Sequence, residues 1–214
     1  MNGHDIRGDV RLGLHSDIDA DVVLGYPSGR AHLTELNIGP GARIRTGSVI
    51  YSGSRIGSNL ETGHYVIIRE DNQIGNRLRI WNHSIIDYGC RIGSDVKIHD
   101  KVYIGQYTVI QDEVFLGAGV TLANNVHPGC PDSAKCVRGP FVNKGAQIGI
   151  NCTILPKVII GEYSVIGAGS LVTKDIPPRV VAYGNPAQVI CDIEEVKCLT
   201  GLREGPYTHI VERI

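Results

Sequence analysis

Residues 92–110 read Ile92-Gly93-Ser94-Asp95-Val96-Lys97-Ile98-His99-Asp100-Lys101-Val102-Tyr103-Ile104-Gly105-Gln106-Tyr107-Thr108-Val109-Ile110. An isoleucine stands at every sixth position. Working outward, the same step runs from Ile38 through Ile44, Ile50 and Ile56, passes a β-branched Thr at 62, and continues from Ile68 to Leu116 and Leu122. It resumes at Val142, Ile148, Ile154, Ile160, Ile166 and Val172, and a shorter run, Ile6, Leu12 and Ile18, precedes it. A period of six fits neither a helix nor one long strand. It fits short flat strands, each followed by a turn, with one aliphatic side chain per strand pointing inward. Gly follows the inward residue at Ile38, Ile56, Ile74 and Ile92. That spacing of eighteen makes three hexads one coil, with a glycine corner on one edge. The expected fold is all-β, a parallel β-helix of about seven to eight coils.

Composition agrees with a narrow, many-cornered interior: 27 Gly, 2 Phe and 1 Trp among 214 residues. The net charge of -1 predicts no nucleic-acid partner. No run of about 18 apolar residues predicts a membrane span. The first residues carry no apolar signal segment, so a cytoplasmic setting and unpaired thiols on the six Cys are expected.

Three segments break the rhythm. Residues 19–37, with Val22-Val23-Leu24-Gly25-Tyr26-Pro27-Ser28-Gly29-Arg30, read as an extra hairpin or loop inserted in the first run. Residues 123–141 are the longest break, and a loop held by a rigid scaffold is where functional groups collect. Here stand Asn124, Asn125, His127, Cys130, Cys136 and Arg138. After Pro177-Pro178, the apolar spacing of Val189, Ile193, Val196 and Leu199 predicts a short C-terminal helix. The domain division is therefore a β-helix over 1–188 and a helical cap over 189–214.

His127 carries the one side chain in the loop that takes a proton near neutral pH without special perturbation. His127-x2-Cys130-x5-Cys136 offers three zinc-type ligands with no obvious fourth, so no metal is expected. Arg138 is either a solvated charge or a diphosphate partner. Trp81, His83 and Ser84 form a polar turn that is either ordinary surface or an acceptor contact made from a neighbouring subunit.

The hexads resemble the repeat of the left-handed parallel β-helix; the general crossover rule would have favoured the right hand. Gly119-Val120-Thr121-Leu122-Ala123-Asn124-Asn125-Val126-His127-Pro128 resembles the loop entry of two groups of hexapeptide acyltransferases. His127-Pro128 is similar to the general base of galactoside and maltose O-acetyltransferases. Asn124 is similar to the Asn of nucleotide-sugar N-acyltransferases, where Asn125 replaces an Asp. Val142-Asn143-Lys144-Gly145-Ala146-Gln147-Ile148-Gly149 and Gly184-Asn185-Pro186-Ala187 resemble the latter group too.

That resemblance implies acyl transfer from acetyl-CoA or another acyl-CoA to the amine of a nucleotide-linked amino-deoxy sugar. His127 would be the base, Asn124 would orient the acceptor, and a backbone N–H near Gly145 would hold the oxyanion. Ala168, Thr173 and Lys174 would line the cofactor. The assembly implied is a homotrimer with active sites between subunits. The alternatives are O-acetylation of a sugar or small alcohol and, remotely, a γ-carbonic-anhydrase-like zinc protein, for which His83, His99 and His127 lack the expected spacing. A binding subunit without catalysis would leave the loop unexplained.

Overall fold

The computed structural model describes residues 3–32 and 34–207. The chain winds into a three-sided left-handed parallel β-helix. Face A holds nine strands, from Asp5–Ile6 to Leu171–Val172. Face B holds eight, from Val10–Leu12 to Ile159–Ile160. Face C holds ten, from Asp17–Ile18 to Val180–Gly184 and Ala187–Asp192. Register is kept coil by coil, as in Ile67 opposite Ile85 and Gln73 opposite Arg91.

The regular corners are made the same way. The third residue after the inward aliphatic takes a left-handed conformation, as at Asn59, Asp95 and Tyr107, with φ of 58°, 61° and 58°. The next residue then turns back into the interior. Above the first coil a regular hexad therefore buries two side chains, not the one read from the period. Leu60, Leu78 and Val96 fill the corners while Ile56, Ile74 and Ile92 fill the faces. Gly57 and Gly75 stack on one edge because the coils touch there: a Cβ on Gly75 would stand 2.7 Å from the backbone carbon of Gly93.

The coil count is higher than the sequence period suggests, nine where seven to eight were expected. Residues 19–37 are not an added hairpin. Val23–Tyr26 pairs in parallel with Asp5–Ile6 below and Val49–Tyr51 above, and Val22 and Leu24 are fully buried. Leu24 is simply the next step of six after Ile18. Only residues 27–35 leave the coil. At the other end, Ile176 bridges to Ile160 and Val180–Gly184 completes a ninth turn after Val172.

The expected helix after residue 188 does not form. Ala187–Asp192 instead pairs antiparallel with Val180–Gly184, and a single 3₁₀ turn, Ile193–Glu195, follows. The open ladder of face C offers that segment backbone partners along its whole length, which outweighs its helical spacing. Ile193 is buried, whereas Leu199 is fully exposed. The remainder of the expected cap, residues 208–214, lies outside the described residues.

Candidate active site

Both excursions leave the prism at the same edge, where face A turns into face B. Residues 27–35 depart from the second coil and residues 123–140 from the seventh. Between them lie the AB corners of the intervening coils, and these carry the buried polar residues Ser52, Ser54, Glu70, Asn72, Asp87 and Thr108.

The lower excursion leans over this edge. The His32 backbone N–H donates to the Asp71 carboxylate at 3.1 and 3.0 Å, and the Arg30 guanidinium lies 5.5 Å from the centre of the Tyr88 ring. Behind it Glu70 is wholly buried. Burial alone would push the Glu70 carboxyl up. The hydrogen bonds it receives, first from Arg69 at 2.8 and 3.0 Å, outweigh that and hold it below the usual range.

The upper excursion is pinned at its base. Arg138 N–H donates to the Asn124 carbonyl at 2.9 Å, and Gly139 N–H to the Gln106 carbonyl at 3.0 Å. Gly139 is buried against Thr108, where no side chain would fit. Asn125 Oδ1 accepts the His127 N–H at 3.2 Å, closing an Asx-type turn. Asn125 thus shapes the turn that carries His127. One helical turn, Ser133–Cys136, follows. The His127 ring is exposed and has no hydrogen-bond partner among the described residues, and the Arg138 guanidinium has none either. Cys130 and Cys136 are half-buried free thiols. Among the described residues no three His, Cys, Asp or Glu side chains gather to hold a metal, so His127, Cys130 and Cys136 do not make a zinc site.

At the foot of the loop Asn124 joins a chain of side chains. Its Nδ2 donates to Gln106 Oε1 at 2.5 Å, and Gln106 Nε2 donates to Asp87 Oδ2 at 2.8 Å. The Tyr103 hydroxyl donates to the same oxygen at 3.0 Å. Burial, and then the Asp87 charge, push the Tyr103 phenol up to about 12, so it stays a donor at neutral pH. Asp87, Gln106 and Tyr103 were not read from the sequence as site residues. The available signal was spacing: Gln106 and Asn124 are eighteen residues apart, which stacks them on consecutive coils.

The other predicted residues lie elsewhere on the prism. Trp81, His83 and Ser84 are at the edge where face C turns into face A. Trp81 is half-buried, and the exposed His83 ring stacks on Tyr65 with centroids 5.2 Å apart. Ser84 is withdrawn as an acceptor contact: it is buried, donates to the His99 carbonyl at 2.7 Å and accepts the Val102 N–H at 3.1 Å. Ala168 is exposed on the same CA edge. Thr173 and Lys174 are on the AB edge, beyond the loop. Gly145 is on the third edge, buried under Tyr163, and its N–H already donates to the Asp112 carbonyl at 2.9 Å, so it is not the oxyanion donor. Within one chain, then, Asn124, Asn125, His127, Arg138, Thr173 and Lys174 share an edge, and Trp81, His83 and Ala168 share another.

Residues 139–174 match the model of the bacterial transferase hexapeptide (six repeats) family. The chain is 46% identical over 86 residues to a galactoside O-acetyltransferase of Lactococcus lactis, covering 37% of this chain and 41% of the relative. It is 57% identical over 49 residues to the dTDP-3-amino-3,6-dideoxy-α-D-galactopyranose 3-N-acetyltransferase of Aneurinibacillus thermoaerophilus, covering 23% and 26%. The chain therefore spans less than half the length of either relative. The solved structure of AntD, an N-acyltransferase from Bacillus cereus, superposes with a TM-score of 0.56 at 19% identity over 75% of this chain and 88% of that one, a likeness of fold. Six-residue repeat, three-faced coil and the match over residues 139–174 agree, and in these features the chain is similar to the bacterial transferase hexapeptide family.

Proposed function

We propose that the protein is a CoA-dependent N-acyltransferase that moves an acetyl group to the amine of a nucleotide-linked amino-deoxy sugar. The observation that carries this reading is the exposed His127 ring, held by the Asn125 turn directly above Asn124 in the chain. The high local identity to a dTDP-amino-sugar N-acetyltransferase supports the acceptor class.

The chemistry follows from those groups. The neutral amine attacks the thioester carbonyl carbon, the C–N bond forms, and the carbonyl oxygen takes the negative charge. Collapse of that intermediate expels the CoA thiolate. The surplus proton on nitrogen passes to the His127 imidazole and from there to the thiolate, which leaves as free CoA thiol. Arg138 supplies an unpaired guanidinium for the acceptor's diphosphate.

A trimer accounts for the two separate edges. The outward residues of face A are apolar over successive coils: Val23, Val49, Ile67 and Ile85, followed by Tyr103. On face C the corresponding residues are Arg43, Glu61, Arg79 and Lys97. With face A turned to a three-fold axis, the AB edge of one subunit meets the CA edge of the next, a head-to-tail contact that closes a ring. The His127 loop then faces the partner subunit's Trp81 and Ala168. The Ala168 N–H is unpaired among the described residues and suits a pantetheine carbonyl. Among the described residues no helix is long and apolar enough to cross a membrane; the acyl-CoA and nucleotide-sugar pools this reading requires favour the cytoplasm.

Thiol release from acetyl-CoA, measured with a panel of nucleotide-linked amino sugars and of simple sugar alcohols, tests the reading. Faster release with an amine acceptor is the expected result. Release with hydroxyl acceptors alone would move the assignment to O-acetylation, which the identity to a galactoside O-acetyltransferase supports as the second reading.

A further inference from the structure

The side chains below the loop form a chain whose polarity is set at one end. Asp87 is buried, and its carboxylate meets donors on every side. Oδ2 accepts from Tyr103 and Gln106; Oδ1 accepts the Tyr88 N–H at 2.8 Å and stands 3.9 Å from Arg69 Nη1. Such a group acts only as an acceptor. Gln106 must therefore turn its NH2 toward Asp87 and its Oε1 away. Oε1 then requires a donor, and Asn124 Nδ2 supplies it at 2.5 Å.

The consequence reaches the active-site edge. With Nδ2 committed to Gln106, Asn124 Oδ1 is the end left over. It has no partner among the described residues and is not a buried unpaired atom, so it reaches solvent at the AB edge. Turning Asn124 over would set two oxygens 2.5 Å apart; turning Gln106 over would set its oxygen against the carboxylate. Gly105 reserves the space: a Cβ there would stand 2.9 Å from Asn124 Cβ.

We propose that Asp87 and Gln106 are positioning residues that fix which end of the Asn124 amide faces the acceptor. The Asn124 oxygen accepts a hydrogen bond from the attacking N–H or O–H and aims the nucleophile's lone pair at the thioester carbonyl. As the amine nitrogen gains positive charge during attack, its N–H becomes a better donor, so the contact strengthens toward the transition state. The proposal rests on the acyl-transfer reading for its kinetics and on the hydrogen-bonded chain for its geometry.

A double-mutant cycle separates positioning from mere support. Asp87→Asn keeps size but can donate, which frees Gln106 to turn. Its kcat should fall about tenfold, the size of one lost hydrogen bond in the transition state, with KM for acetyl-CoA and the melting temperature near those of the parent. In an Asn124→Ala background, Asp87→Asn should have no further effect on kcat. An equal loss in both backgrounds would overturn the proposal. If Asp87→Asn fails to fold, Gln106→Met cuts the chain at its middle and must show the same non-additivity.

Hydrogen exchange of the Asn124 side-chain amide, read by selective ¹⁵N-asparagine labelling, needs no turnover. Slow exchange in the parent that is lost in Asp87→Asn supports the chain, and solvent-rate exchange in the parent refutes it. A parent enzyme that acylates no acceptor would instead sink the acyl-transfer reading, with the exchange result still deciding the polarity.

Discussion

The BC edge and the part of the AB edge under the upper excursion are built from the same hexads and put polar residues to different uses. On the BC edge, Asn76, Ser94 and Asp112 stack coil on coil. Each accepts a backbone N–H from the coil before it, at 2.9, 3.0 and 2.6 Å. Backbone demand uses up these side chains, glycine brings the coils close, and no excursion interrupts the edge. On the AB edge, Asp87, Gln106 and Asn124 bond to one another, and the chain ends in an unpaired oxygen. A polar side chain that completes a backbone ladder has little left to offer a ligand. One oriented by other side chains keeps an atom in reserve.

That contrast is sharpest in the response to mutation. His127→Ala on the AB edge should lower kcat by about 10² to 10⁴-fold, the usual contribution of a positioned acid–base group, while circular dichroism and melting temperature stay those of the parent. A variant with full rate would remove His127 from the mechanism. Gly75→Ala on the BC edge should do the reverse. Its Cβ meets the Gly93 backbone, and the strain should destabilise the fold by about 2 kcal/mol in chemical denaturation, with turnover per folded molecule preserved.

A smaller test lies in acid. The Glu70 carboxyl is held below its ordinary 4.5, so its ion pair stabilises the fold above that value, and the contribution is lost as pH falls through the lower folded-state value. Glu70→Gln should cost about 1.5 kcal/mol at neutral pH, the worth of a charge-assisted hydrogen bond, and the two proteins should converge in stability once the pH falls below the lowered folded-state value. Parallel stability curves would show that the charge of Glu70 does not matter. The smallest effect is expected from Arg30→Ala. Loss of the guanidinium above Tyr88 should lower stability by about 0.5–1 kcal/mol in chemical denaturation, in keeping with an exposed cation–π contact; no change would show that the contact carries no weight.

Much of this was legible in the chain itself. The step from Ile38 to Leu122 already implied strands, three faces and a glycine edge. Leu24 continues the run of Ile6, Leu12 and Ile18, a step that the expected insertion over 19–37 passed over and that the pairing of Val23–Tyr26 brings out. Its phase shows that the excursions at 27–35 and 123–140 both follow the first inward residue of a coil and so share an edge. Asn124, His127 and Arg138 stood out because the rhythm stops around them. Asp87 did not, since one acidic residue at a corner looks like any solvated turn. Ser84 and Gly145 looked available and are not: the corner geometry turns the Ser84 hydroxyl inward to the His99 carbonyl, and a neighbouring coil already occupies the Gly145 N–H.

The periodic spacing of aliphatic residues alone determines the coil, because each hexad repeats one local solution for strand, left-handed corner and inward side chain. Only the tertiary structure decides what spans coils. The last segment becomes a strand because face C ends in an open ladder. The Asn124 amide has one orientation because a buried carboxylate two coils away accepts and cannot donate. Both outcomes depend on partners brought close by winding, and no local preference of the residues themselves encodes them.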